Sequence, residues 1–469
     1  MQLGRWRAGI LATLLALVAG PAFATPALVI DADSGKVLYE RQATANWYPA
    51  SLTKLMTTYV ALSAVREGRV TLDTPFVMSQ RAASMAPSKM GFKPGTEVTL
   101  DNALKMLMVK SPNDIAVMIA EGVSGSVESF ADEMNAAAAK LGMKETHFVN
   151  PNGLPDDRQV TSARDMAIVA RALLKEFPDE AGIFGIGALQ LGNRIIPTHN
   201  GLIGRYPGAD GMKTGFTCAA GFNLVASATH GGKRLIAVIL GAATPRERTA
   251  MAIALFERGF AETGGLAGLF SGGGSGLGLV DALPSPGVGP APDMRAEICS
   301  RRGRAALLAA EEEDMRAAAP PAVAAARTGA TRGMSLFAAA AASTDPEAMA
   351  AAPAPHFDPV RVFVGPKPGW TGPVAMAKPQ PFEAPESASA YAAGPDKEAG
   401  DSNQATSAPM ALQGAVKPTK LGSLVAPHKP EAKRAHAMKQ GKKIATVLTP
   451  KKPAFSKVPI GKRTRSTAH

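Results

Sequence analysis

The sequence predicts an α+β fold: an antiparallel sheet covered by helices, followed by a long tail expected to stay disordered. Three observations predict it. Strand patterns stand at both ends of the region before Phe260, and helix patterns fill its middle. The first strand pair needs a partner, which the last strands can supply within one sheet. After Phe260 the composition shifts to a Gly/Ser run and then to Ala/Pro tracts that bury little.

The elements follow in chain order. Residues 1–24 read as an export signal: Arg5 and Arg7 give a basic start and Ile10 to Val18 a short apolar core. Ala22-Phe23-Ala24 then fits the small-x-small cleavage pattern, so the mature chain is expected to begin near Thr25. An anchor that stays uncleaved is the competing reading. Ala27 to Asp31 and Lys36 to Glu40 flank Ala32-Asp33-Ser34-Gly35, a hairpin signal. Ser51 opens a helix whose apolar positions are Leu52, Leu55, Met56, Tyr59, Val60 and Leu62. Further helices are expected over Asn102 to Met108, Asp114 to Gly122, and Val127 to Leu141, the last closed by Gly142. Ser162 and Asp165 stand in capping-box spacing before Met166 to Phe177. Phe222 to Ala228 and Arg234 to Leu240 read as strands around a Gly231-Gly232 turn, and Arg248 to Phe260 as a closing helix.

The chain divides accordingly into a signal (1–24), a folded domain (25–262), a low-complexity linker (263–410) and a basic tail (411–469). The tail holds 14 Lys/Arg against one acidic residue, Glu431, so the excess charge belongs to its end. Two cysteines are too few for a disulfide framework. Cys218 and Cys299 lie in regions of different character, and no structural disulfide is expected; Cys218 reads as a small buried side chain. No C-x-x-C or H-E-x-x-H pattern appears, so neither a metal site nor a cofactor is expected.

Chemistry enters with Ser51 and Lys54. At i and i+3 they share a helix face. A buried ammonium is costly unless it is paired or sheds its proton. A lysine that sheds its proton is a base, and the hydroxyl beside it needs one to become a nucleophile. Ser111-Pro112-Asn113 sits between two helical runs, where a hydroxyl and an amide can relay a proton and hold a peptide bond. Lys213-Thr214-Gly215 offers a cation and a hydroxyl on a strand edge, with a glycine that admits a substrate backbone. Each motif alone has a bland reading: a capping serine beside a surface lysine, an interhelical turn, a solvated edge strand.

Their order is more specific. Ser-x-x-Lys, then Ser-x-Asn, then Lys-Thr-Gly resembles the serine penicillin-binding and β-lactamase set. Pro49 to Met56, Ser111 to Asp114, Asn150 to Leu154, Asp210 to Thr217 and Ala220 to Leu224 narrow the resemblance to the D-alanyl-D-alanine carboxypeptidases, over roughly Pro26 to Phe260. The resemblance implies a β-lactamase/transpeptidase-like fold and removal of the terminal D-alanine from peptidoglycan stem peptides. It makes β-lactams the expected inhibitors. By motif it makes Ser51 the acylated nucleophile, Lys54 its base, and Ser111 a proton relay with Lys213. It gives Asn113 the substrate amide and the N–H groups of Ser51 and Phe216 the oxyanion. The terminal carboxylate goes to Lys213, Thr214 and Arg248; Arg246 is the second choice for the arginine. A location in the periplasm or on the outer face of the cytoplasmic membrane follows.

There are departures. Pro112 stands where a small residue is usual. His199 reads as structural. No second β-rich domain is evident, and Pro359 to Val364 is one strand-like run. A β-lactamase needs a glutamate to activate the deacylating water; Glu121, Glu128, Glu133, Glu145, Glu176 and Glu180 are present, none in a loop of the expected kind. D,D-endopeptidase action on crosslinks is the nearest rival, and a binding protein with an inactive fold is the rival from another class. The tail is expected to attach to anionic envelope surfaces and not to nucleic acid.

Overall fold

The computed structural model describes residues 25–263, 277–285, 289–300, 345–350, 352 and 355–378. The signal read over 1–24 and the basic tail over 411–469 lie outside the described residues. The central sheet has five strands: β1 (Ala27–Asp31), β2 (Val37–Arg41), β7 (Ala209–Thr217), β8 (Gly221–His230) and β9 (Lys233–Ala242). Their order is β2-β1-β9-β8-β7, and every neighbouring pair is antiparallel. The two termini of the domain thus meet in one sheet, with Ala27 opposite Ile239 and Asp31 opposite Leu235. Gly231 and Gly232 both take positive φ (55° and 77°), which lets a two-residue turn follow the twist of β8 and β9.

Helices fill the middle. The first, α1 (Thr53–Arg66), is buried on almost every side, from Thr53 through Leu62 and again at Ala64. A helix apolar all round belongs inside a helical layer. Its neighbours are α4 (Asn113–Ser124), α5 (Val127–Leu141) and α6 (Ala163–Glu176). Ser126 and Ser162 accept from the backbone N–H groups of Ser129 and Asp165 and so cap α5 and α6. Gly142, left-handed at φ 78°, ends α5 where a Cβ-bearing residue would be strained. The closing helix, α7 (Pro245–Thr263), starts three residues earlier than its apolar pattern suggests.

Arg164, at the start of α6, is 1 % exposed. It donates to Asp165 at 2.8 Å and to Glu145 at 3.2 Å. Its other nitrogens reach the carbonyls of Gly142, Val280 and Asp281. One guanidinium therefore ties two helices to a segment from beyond the domain.

That segment departs from expectation. The stretch 263–410 was expected to be unstructured throughout, yet its described residues lie against the domain. Val280 N donates to Gly35 O, and Met294 N to Ala219 O. Val360–Val362 forms β10, which pairs in parallel with β5 (Ala188–Leu191) beside β6 (Arg194–Pro197). The strand-like run at Pro359 to Val364 is thus the third strand of a small sheet. Cys218 and Cys299 form a disulfide, with Cα atoms 5.6 Å apart. This corrects the reading of two unpaired thiols. The bridge spans 81 residues, and nothing in the low-complexity composition between them signals that the chain folds back.

Candidate active site

The segment before α1 is held from three sides. Trp47 donates its indole N–H to Ala220 O, and Asn223 Nδ2 donates to Tyr48 O and Pro49 O. Asn223 Oδ1 also accepts from Gly241 N, so one amide locks this segment to the sheet. Ala50 takes φ 47° and Ser111 φ 60°, both left-handed without being glycine. Such strain collects where function requires it. Gly153, at φ +83°, lies so close that a Cβ would fall within 1.8 Å of Ala50 O. On the other side, a Cβ on Gly215 would stand 3.2 Å from Ser51 N. The edge strand β7 and the 150–154 loop therefore clamp Ser51 between them.

Ser51 sits in a short 3-10 turn, Ala50–Leu52, that runs into α1. Lys54, one turn on, is wholly buried. Its Nζ lies 2.8 Å from Ser51 Oγ, 2.8 Å from Asn113 Oδ1 and 2.5 Å from Asn152 O. Burial above all, and then the charge of Lys213, pushes its pKa well below the ordinary lysine value; Asp114 opposes weakly. A neutral amine keeps two N–H donors and one lone pair. The two carbonyl oxygens can take the donors, which leaves the lone pair for the Ser51 hydroxyl proton.

Asn113 uses Nδ2 on Ala86 O and Pro87 O. Its Oδ1, already accepting from Lys54, keeps a second lone pair for a substrate N–H. Ser111 is buried, and its Oγ has no hydrogen-bond partner among the described residues. Lys213 Nζ donates to Thr214 O at 2.7 Å, so the expected pairing of Lys213 with Ser111 is not a direct hydrogen bond here. Burial first, and then Arg248, pushes Lys213 down to about 7.

Thr214 and Phe216 alternate as the half-buried residues of β7, with Phe216 stacked 4.3 Å from Phe222. Arg248 is buried and donates to His199 O at 3.2 Å. Arg246 is exposed and paired with Glu347 at 3.4 Å, which separates the two arginine candidates. Four of the six candidate deacylating glutamates are engaged by arginines: Glu128, Glu133, Glu145 and Glu176 are held by Arg81, Arg69, Arg164 and Arg66.

Sequence reasoning missed three contributors. Asn152 acts through a backbone carbonyl, which side-chain identity does not announce. Asn223 and Trp47 position the serine segment from the sheet; Asn223 lies inside a quoted motif, but nothing in its spacing reveals what it holds.

The arrangement can deprotonate a serine, bind an anion beside Lys213 and Arg248, and receive an extended peptide along β7, the edge strand of the sheet among the described residues. Residues 19–244 match the D-alanyl-D-alanine carboxypeptidase family. The chain is 39 % identical over 244 residues to D-alanyl-D-alanine carboxypeptidase DacF of Bacillus subtilis, covering 51 % of this chain and 62 % of that protein. It is 37 % identical over 240 residues to DacA of Escherichia coli, covering 50 % of this chain and 60 % of that protein. With DacB2 of Mycobacterium tuberculosis it shares 34 % identity over 243 residues, covering 50 % of this chain and 81 % of that protein. The structure of penicillin-binding protein 5 from Haemophilus influenzae aligns at 35 % identity with a TM-score of 0.49, over 52 % of this chain and 73 % of that one. The present chain thus spans about three fifths of the Bacillus and Escherichia relatives. On the family match and the breadth of the Mycobacterium alignment, the chain belongs to the D-alanyl-D-alanine carboxypeptidase family.

Proposed function

We propose that this chain is a serine-type D-Ala-D-Ala carboxypeptidase that removes the terminal D-alanine from peptidoglycan stem pentapeptides. The observation that carries the reading is the wholly buried Lys54 Nζ, 2.8 Å from Ser51 Oγ. Ser51 Oγ attacks the carbonyl of the penultimate D-alanine and passes its proton to Lys54. The oxyanion rests on the N–H groups of Ser51 and Phe216. Thr214, Lys213 and Arg248 bind the terminal carboxylate. Collapse of the intermediate breaks the peptide bond, and the leaving amine takes a proton through Ser111. Water then hydrolyses the Ser51 ester and restores the hydroxyl. β-Lactams acylate the same oxygen and leave it slowly.

The enzyme acts outside the cytoplasmic membrane, and its basic tail tethers it electrostatically to anionic envelope surfaces. The test is digestion of pentapeptide and crosslinked muropeptides, read by mass spectrometry. Release of one D-alanine per pentapeptide supports the reading. Cleavage of crosslinks with pentapeptides left intact assigns an endopeptidase instead.

A further inference from the structure

Residues 345–362 come from well beyond the stretch 19–244 that matches the family, and their described part lies against one wall of the site. That wall has three pieces: the hairpin of β5 and β6, the loop 198–206 that follows it, and the first turn of α7, which carries Arg248. The reading above, on which this inference rests, gives Arg248 the terminal carboxylate of the substrate.

The strap formed by 345–362 touches each piece. β10 pairs in parallel with β5, Val360 opposite Leu189 and Val362 opposite Leu191. The short helix Pro346–Ala350 packs on α7 and buries Met349. Glu347 meets Arg246 at 3.4 Å, but both side chains are more than half exposed, so this pair contributes little. Between the two anchors, Pro355 and Phe357 sit over two glycines. A Cβ on Gly187 would run into the Phe357 ring. At Gly204, whose φ is +74°, a Cβ would stand 2.5 Å from Pro355 and 2.9 Å from Phe357. Only glycine admits the strap this closely at both places.

From that seat the hold passes inward by short steps. Arg205 Nε donates to Ala352 O at 2.9 Å and Nη1 to Gly201 O at 3.2 Å, so one guanidinium joins strap and loop. Gly201 lies against Thr249, where a Cβ would stand 2.8 Å from the threonine Oγ1. Thr249 is next to Arg248, which donates to His199 O at 3.2 Å. The inner side of the loop is held by Asn200 Nδ2 on Gly211 O at 3.0 Å and by the fully buried Leu202. Its outer side is held by the strap.

We propose that the strap is a specificity element of the site and that Phe357 is a positioning residue: seated on Gly187 and Gly204, it fixes the wall that aims Arg248 at a terminal carboxylate. Without that ring the groups around Ser51 stay in place, while recognition of the carboxylate loosens.

The test compares two substrates of the full chain: an acyl-D-Ala-D-Ala peptide, and the phenyl ester of the same acyl-D-alanine, which has no terminal carboxylate. Phe357→Ala is expected to lower kcat/KM on the peptide by about tenfold, inside the roughly hundredfold that a misplacement of about 1 Å can cost, and to leave the ester unchanged. Gly187→Ala, which displaces the ring from the opposite side, is expected to cause the same selective loss and to add nothing to Phe357→Ala. Equal losses on peptide and ester, or additive losses in the double variant, overturn the proposal. Arg248→Ala separates it from the reading beneath. If Arg248→Ala removes the advantage of the peptide while Phe357→Ala and Gly187→Ala do not, the carboxylate assignment stands and the role of the strap falls. If Arg248→Ala leaves the ratio of the two substrates unchanged, the carboxylate assignment fails, and amide hydrogen exchange read by mass spectrometry decides the strap. Faster exchange over 198–209 in Phe357→Ala, with α1 unchanged, supports its hold on the wall; unchanged exchange overturns it.

Discussion

Lys54 and Lys213 are two buried ammonium groups pushed in the same direction for different ends. In the proposed mechanism Lys54 works as a base when neutral, so reaction should rise with pH as it loses its proton, well below the ordinary lysine range. The same mechanism has Lys213 bind an anion when charged, and its pKa of about 7 implies that this help fades as pH climbs through neutrality. Second-order acylation by penicillin, measured against pH, should therefore fall on both sides of a maximum. In Lys213→Ala the alkaline fall should vanish and the acid limb should move to higher pH, because a charge that helps to depress Lys54 is gone; an alkaline limb that survives this change contradicts the assignment. Arg248, buried beside the site, is expected to matter to a substrate with a free terminal carboxylate. Arg248→Ala should lower kcat/KM on such a peptide by about 10- to 100-fold, the range for hydrogen bonds to a charged group. An ester lacking that carboxylate should be nearly indifferent, and equal losses on both refute the role. These residues were legible because their chemistry is written in side chains at fixed spacing. Asn152 was not, because any residue could supply its carbonyl.

Elements carry the next layer. The helix and strand patterns were legible over most of 25–263, since burial imposes a period of two or of about three and a half on apolar residues. The pairing of Cys218 with Cys299 was not, because the chain that carries Cys299 has no periodicity and acquires its place only by docking on the domain, at Gly35 and Ala219. Arg164 shows what that docking involves. It is buried with Glu145 and Asp165 and holds the carbonyls of Val280 and Asp281. Arg164→Ala leaves two buried carboxylates without their cation, a change that destabilises by about 3–5 kcal/mol. Denaturant unfolding followed by circular dichroism should show that loss, and a change under about 1 kcal/mol would mean the cluster is not held by Arg164.

At the scale of the molecule, the proposed function gives the folded unit and the basic end separate tasks. The 14 Lys/Arg of residues 411–469 face one glutamate, and the segment lacks the apolar face by which an amphipathic helix enters a bilayer. Attraction to anionic polymers or headgroups is then electrostatic and screened by salt. A chain ending at Met410 keeps every described residue. It should hydrolyse a small D-Ala-D-Ala peptide as the full chain does, yet lose low-salt binding to envelope fractions. Equal binding by both chains, or binding that ignores salt, contradicts the tether.

The proposed chemistry depends on Ser51 being the oxygen that Lys54 activates. Peptide mapping by mass spectrometry after brief exposure to penicillin tests this most directly. A single penicilloyl adduct is expected on Ser51, none on Ser51→Ala, and labelling slowed by about 10²- to 10⁴-fold in Lys54→Ala. An adduct on any other residue, or full labelling of Ser51→Ala, contradicts it.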